Sequence, residues 1–190
     1  MVTTPATKLT FEEYLTYDDG TGCHYELVDG SLELMNPPTI EHFLIADFLD
    51  TSLKAEIKRL GLPWLCLREA GVRTGRNKSR LTDLCVVTIE QARELMNVSA
   101  VFQTPPLLIV EIVSPELIKW DYRYKCSEYA ALEVPEYWIV DPLETKISVF
   151  LLEEGLYEET VFTGSQKIES RTLPELAIAP EKVFIAGNLE

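Results

Sequence analysis

Three carboxylates stand where carboxylates are costly: Glu26 in YELVDG, Asp83 in LTDLCVV and Glu111 in LLIVEIVSP, each beside or within an apolar run. An ionised acid shut away from water without a partner shifts its pKa or destabilises the fold by on the order of several kcal/mol. Side chains alternate along a strand, so Asp83 is expected to point with Leu81, Cys85 and Val87, and Glu111 with Ile109 and Val113. Neither acid has a polar neighbour on its own face. If the two strands are adjacent, the two carboxylates converge on one cation. Mg2+ suits such a pair, because it is held by one or two carboxylates together with waters and phosphate oxygens. Without a cation the pair would repel, and one acid would take up a proton. A lysine is the next candidate. In DYRYKCSEY, Lys125 follows Tyr122 by three residues and precedes Tyr129 by four, so the three share a helical face. Such a lysine either snorkels past its neighbours or aims into a pocket. Taken alone, this helix reads as well with a solvated lysine paired to Asp121 or Glu128.

The elements that must position these groups can be read from periodicity and turn chemistry. Thr10 with Glu13 makes a capping box for a short helix over TFEEYLTY. HYELVDGSLELM is two alternating runs joined by Asp29-Gly30, a strong hairpin signal. After Pro37-Pro38, apolar residues at Ile40, Phe43, Leu44, Phe48, Leu49, Leu53, Ile57 and Leu60 form a helical stripe closed by Gly61. Strands follow at PWLCLREA and GVRT, then a basic tip GRNKSR and a strand at LTDLCVVT, then a short helix over Ile89–Met96. LLIVEIV, bounded by Pro106 and Pro115, predicts a central strand covered on both faces. A helix is expected from about Ile118 to Leu132, a strand at EYWIVDP, and a second hairpin around Glu154-Gly155. Helices and strands mix without strict alternation, which predicts an α/β (α+β) fold with a mixed central sheet flanked by helices and added β-hairpins.

Length and composition limit what such a chain does. At 190 residues it is expected to form one domain, with a core over about 24–142 and a β-rich extension over about 143–190. MVTTPATKLTFEEYL lacks the basic head and apolar core of a signal peptide, and no apolar run approaches the ~20 residues of a spanning helix, so a cytoplasmic location is expected. Cys23, Cys66, Cys85 and Cys126 fit no disulfide framework and read as reduced residues. With no CxxC and only His24 and His42, zinc is not expected. The net charge of −14 weighs against a nucleic-acid partner, since phosphate binding draws on Lys and Arg. Charge is unevenly spread, however. Arg68, Arg73, Arg76, Lys78 and Arg80, five of the 17 basic residues, fall within 13 positions that hold one acid, Glu69. A solvated hairpin tip explains that cluster as readily as a binding surface does.

An acid in an early helix or hairpin, an Asp opening a strand, a Glu in the next buried strand and then a lysine resemble the PD-(D/E)xK nuclease superfamily. More closely, YELVDGSLELMNPPTIEH, LTDLCVV, LIVEIVSP, the DxxxKxxxY of Asp121, Lys125 and Tyr129, and VPEYWIVDP resemble the Uma-type restriction endonuclease family. The motifs run in order from about Tyr25 to Pro142; each is weak alone, and together they are specific. Two positions depart from the superfamily pattern. Thr82 stands where a proline usually precedes the Asp, and Val113 stands two residues after Glu111, where a lysine is usual. Lys125 matches the position to which that lysine has moved in Uma-type relatives.

The resemblance implies a restriction-endonuclease-like fold, a Mg2+ or Mn2+ cofactor and a DNA substrate, and it leaves room for a homodimer. Asp83, Glu111 and the Ile112 carbonyl are then the expected metal ligands, with Lys125 and Glu26 completing the catalytic set. Arg73, Arg76, Lys78 and Arg80 are expected to contact the DNA backbone. Tyr129 is read as a packing residue with its hydroxyl near the site, and Glu33 and His42 as candidates for its edge. Two other readings stand beside this one. The chain could be a catalytically silent interaction domain of the same fold, or a metal-free hydrolase using Asp83 and Glu111 as acid and base.

Overall fold

The computed structural model describes residues 8–114 and 120–189. The expected start of the fourth helix at Ile118, and Pro115 at the end of the central run, lie outside the described residues. Two sheets organise the chain. One has six strands: β3 (Trp64–Arg68), β6 (Leu84–Thr88), β8 (Leu108–Ile112), β9 (Glu136–Asp141), β10 (Lys146–Glu153) and β11 (Leu156–Thr163), in the spatial order β11-β10-β9-β8-β6-β3. It is mixed, because β8 and β9 run parallel and its other pairs antiparallel. A second sheet has the order β2-β1-β5-β4-β7, from β1 (Tyr25–Val28), β2 (Ser31–Leu34), β4 (Gly71–Gly75), β5 (Lys78–Leu81) and β7 (Val101–Phe102). The fold is thus mixed α and β, as the sequence predicts, with the strands divided between two sheets.

The division falls inside LTDLCVV. Leu81 ends β5 in the smaller sheet and Leu84 opens β6 in the larger, so Thr82 and Asp83 form the crossing between sheets. A single strand through Asp83 was expected, with Leu81 on its face; the chain instead changes sheet there. Thr82 anchors the crossing, since its amide and hydroxyl both donate to the Ala70 carbonyl, at 3.0 and 3.1 Å. A proline at this position could not make the amide bond.

Helix α2 (Ile40–Arg59) covers one face of the larger sheet. Thr39 caps its first turn by accepting from the His42 amide at 3.2 Å, and Gly61, at φ 63°, takes the left-handed conformation that ends it. Ile45, Leu49, Leu53 and Ile57 pack on Val86, Leu108, Val110, Ile112, Trp138 and Val140. Ile40 and Phe43, counted in the same stripe from sequence, are exposed, because the first turn extends beyond the sheet. On the opposite sheet face, Cys85, Val87, Ile109, Val113 and Tyr137 pack against Tyr129 and Val134. The odd and even residues of β8 therefore serve two cores, and all five residues are buried.

Short-range expectations hold where turn chemistry is decisive. Asp29-Gly30 and Glu154-Gly155 each show two successive positive φ values, 49° and 84°, as a tight hairpin requires. The capping box of Thr10 and Glu13 starts α1 (Phe11–Leu15), and a second, Thr88 with Gln91, starts α3 (Ile89–Glu94). The helix carrying Lys125 differs from its expected form. It is wound as a π-helix over Trp120–Lys125 and only then as an α-helix, α4 (Cys126–Ala131). A last helix, α5 (Pro180–Ala186), lies near α2.

Candidate active site

Strand pairing brings the two central acids together. Strands β6 and β8 pair Leu84 with Val110 and Cys85 with Ile109. One step beyond that register, Asp83 lies across from Glu111, on the face the alternation assigns to Glu111, Ile109 and Val113. Asp83 extends the pairing through its side chain, with Oδ2 accepting from the Ile112 amide at 2.6 Å. Its Oδ1 lies 3.1 Å from His42 Nε2.

Lys125 enters between the acids from the helix. Its Nζ is 2.9 Å from Glu111 Oε2, 3.1 Å from Asp121 Oδ1 and 3.9 Å from Glu26 Oε1. The Tyr129 hydroxyl donates to the other Glu111 oxygen at 2.7 Å. So the reading of Lys125 as a solvated lysine fails: it is paired to Asp121, but buried. Tyr122 was expected on the same face and is elsewhere, donating to Asp141 Oδ2 at 3.2 Å. The wider π turn explains this, since it breaks the three- and four-residue spacing on which an α-helical face depends. Val113 lies buried in the core beside Cys85 and Tyr137, so nothing on β8 stands in for the usual lysine.

A second set of contacts fixes Glu26. Arg80 Nη1 donates to Glu26 Oε2 at 2.9 Å, and the Leu81 amide donates to Oε1 at 3.1 Å. Arg80 also grips Glu128 of α4 at 2.8 and 2.7 Å, and Glu128 receives Thr74 Oγ1 at 2.8 Å. The guanidinium thereby ties α4 to the smaller sheet. This corrects the expectation for Arg80, which is 1% exposed and faces these acids rather than a DNA backbone. Lys78 is half-buried, between Asp29 and Glu128. Arg73 lies over the Phe11 ring and donates to the carbonyls of Gly75 and Arg76. Arg76 is exposed at the tip. Glu33 pairs with Glu26 across the β1–β2 hairpin and is exposed at the edge.

Electrostatics follow from this crowding. Burial pushes Glu111 up to about 8, against the opposing pull of Lys125. It likewise pushes Asp83 up to about 7, although 24% of that side chain stays open to solvent, which tempers the effect. Asp121 is also raised by burial. Burial alone would lower Lys125, but Glu111, Asp121 and Glu26 overcome it and hold the ammonium well above its usual range. Lys125 is therefore a fixed cation and no proton acceptor at neutral pH. Glu128 goes the other way: burial would raise it, but the Arg80 bonds hold it below the ordinary carboxylate range.

Three carboxylates, Glu26, Glu111 and Asp121, thus share the buried Lys125, Glu26 and Glu128 share the buried Arg80, and Asp83 stands beside them against His42. That surplus of hard, anionic oxygen fits a divalent ion such as Mg2+ or Mn2+. Among the described residues, no group of three or more His, Cys, Asp or Glu side chains is placed to hold a metal ion. Sequence reasoning undervalued three residues of this site. Asp121 was named only as a partner of Lys125 and a motif residue, and His42 only as a candidate for the edge. Glu128 as the anchor of Arg80 had no local signal.

A mixed sheet with paired acids and a lysine where β6 and β8 meet defines a restriction-endonuclease-like protein. The chain belongs to the Uma2 family, described as "putative restriction endonuclease", whose family model matches residues 11–181. The fold is similar to the crystal structure of "a putative nuclease belonging to DUF820" from Anabaena variabilis, with a TM-score of 0.80 over 95% of this chain and 99% of that one. At 18% identity this likeness speaks to the fold alone. The type IIG restriction endonuclease BpuSI is matched at a TM-score of 0.41 and 10% identity, over 80% of this chain and 17% of that one, too remote to carry an argument. No curated protein matches the chain.

Proposed function

We propose that this chain is a divalent-metal-dependent DNA endonuclease that hydrolyses phosphodiester bonds. The observation that carries the reading is the meeting of Asp83, Glu111 and Lys125 on three separate elements, in a member of a family described as restriction endonucleases. Asp83, Glu111 and the Ile112 carbonyl would hold Mg2+ or Mn2+, which supplies Lewis acidity that draws charge off the scissile phosphate and makes a water more acidic. The chain's own groups do the rest. Lys125, fixed as a cation, offsets charge on the five-coordinate transition state and orients the attacking water. The Ile112 amide holds the Asp83 carboxylate in place, and the Tyr129 hydroxyl does so for Glu111. Glu26, bound by Arg80 and the Leu81 amide, acts through water or beside a second ion. Arg76, with Arg73 and Lys78 behind it, meets the DNA backbone and gives position rather than sequence choice.

The silent-domain reading is favoured by one observation, the burial of Val113 where the superfamily has its lysine. Incubating supercoiled plasmid with Mn2+ or Mg2+ separates the two. Cleavage should fall about a hundredfold or more for each of Asp83→Ala, Glu111→Ala and Lys125→Ala. Equal cleavage by all four proteins means a contaminant and sinks the assignment. No cleavage by any, with no divalent-ion binding in calorimetry, leaves the silent domain.

A further inference from the structure

Solvent reaches the carboxylates from one side. The side chains of Asp83 and His42 are 24% and 17% open there, against at most 6% for Glu26, Glu111, Asp121 and Lys125. A DNA strand therefore arrives past Asp83. The groups behind that opening are mostly acids, and like charge holds a phosphodiester off. Lys125 lies buried among Glu111, Asp121 and Glu26 and does not reach out to meet it. The entry needs a cation of its own.

Arg68 stands at that rim. It ends β3 opposite Leu84, the residue after Asp83, and the next amide, that of Glu69, donates to the Asp83 carbonyl at 3.4 Å. Alternation puts Arg68 on the face of Cys66, which packs with α2, while Leu67 faces the other core. Its Nη1 lies 3.4 Å from Asp47 Oδ1, further along α2 from His42. The charge is felt at His42 too: burial lowers that imidazole, and Arg68 lowers it further.

Other arginines of the basic cluster are committed within the fold. Arg80 is engaged by Glu26 and Glu128, and Arg73 by the carbonyls of Gly75 and Arg76. Arg68 has a long ion pair to an aspartate that is 73% exposed. A pair so open to water is weak and easily exchanged. A phosphate offers more, because its oxygens accept two parallel N–H groups of the guanidinium fork.

Resting on the nuclease reading given above, we infer that Arg68 binds a backbone phosphate of the DNA at the mouth of the site, exchanging Asp47 for it. Asp47 then acts as the resting counter-ion that competes with substrate. The phosphate contact lies beside the reacting centre, not out at the β4–β5 tip.

The test uses the full chain and a fluorescein-labelled DNA duplex. Binding is read by anisotropy in EDTA over a series of NaCl concentrations, plasmid cleavage is followed in Mn2+, and melting curves show that each variant is folded. Arg68→Gln should weaken binding about tenfold. Its slope of log affinity against log salt should fall by about one phosphate contact. In cleavage it should raise KM with little change in kcat. Arg68→Lys, which keeps the charge and loses the fork, should recover part of the affinity. Asp47→Asn should act in the opposite sense and tighten binding by about twofold or more. That gain should vanish in the Arg68→Gln background. If the ion pair mattered only to the fold, both single variants would shift binding in the same direction. That result, or unchanged affinity and salt slope in Arg68→Gln, overturns the assignment of Arg68, while cleavage abolished by Asp83→Ala keeps the nuclease reading. A parent protein that neither binds the duplex nor cuts plasmid overturns the nuclease reading and the role of Arg68 with it.

Discussion

At the scale of single residues, Glu111 carries the sharpest consequence. Its carboxyl is raised from 4.5 to about 8, first by burial. Between those values the folded chain holds more protons than the unfolded one, so this group's contribution to stability falls as pH rises through that window. Glutamine at the position takes up no proton. In EDTA, the melting temperature of Glu111→Gln should therefore rise relative to that of the parent as pH goes from about 5 to about 8. Melting curves with identical pH dependence would show that Glu111 titrates as an exposed acid. The sequence exposes this acid plainly, because a lone charge in LLIVEIV demands a partner. It does not reveal that Tyr129 and Lys125 divide its two oxygens between them.

At the scale of elements, the π-helix is what sets Asp121 against Lys125. Six residues, Trp120–Lys125, are wound at the wider pitch before α4 continues. Removing one residue from such a turn restores the α-helical count. Tyr124, 49% exposed, is the residue to remove. With Lys125 kept in register with Tyr129, the deletion shortens the spacing of Asp121 and Lys125 from four residues to three and so alters the geometry of their pairing. Plasmid cleavage by the Tyr124 deletion should then fall by about tenfold or more, with a cooperative melt retained. Full activity would show that the pairing of Asp121 with Lys125 has no part in the chemistry. Periodicity assigns this stretch as helix but not as π-helix, because the extra residue costs nothing that a hydrophobic stripe records. The π-helix is tied to other elements by Lys125 meeting Glu111 and by the Tyr137 hydroxyl donating to the Asp121 carbonyl.

At the scale of the whole molecule, the C-terminal segment is part of the main core. Ile168, Leu173, Leu176, Ile178 and Val183 pack with Leu49, Leu53 and Trp138. Thr172 is held to the central sheet, its amide donating to the buried Glu136 at 2.7 Å and its hydroxyl to the Leu107 carbonyl at 3.1 Å. Each buried aliphatic side chain is worth about 1.5–3 kcal/mol. Five of them approach the whole stability of an ordinary domain, ~5–15 kcal/mol. A chain ending at Thr163 should therefore lack a cooperative thermal transition by circular dichroism. A cooperative melt close to the parent's would show that residues 164–190 pack on a core already complete without them.

By itself the sequence determined most of the strands, the hairpin turns, the long helix and the identity of the acids, but not β5, read as a basic tip, or β7. These follow from local rules: alternation, capping, left-handed glycines, and the cost of a charge in an apolar run. The costly acids Asp83 and Glu111 were legible in the same way, whereas Lys125 was singled out from a solvated lysine only by the family resemblance. Tertiary structure alone decided that LTDLCVV crosses between two sheets, that Arg80 turns inward to Glu26 and Glu128, and that His42 touches Asp83. The last two of those outcomes join residues 41 to 54 positions apart in the chain. An arginine next to a basic loop looks the same in sequence whether it faces water or a pair of buried carboxylates. Only the folded chain sets the local dielectric and the partner, and these decide where a charge is stable.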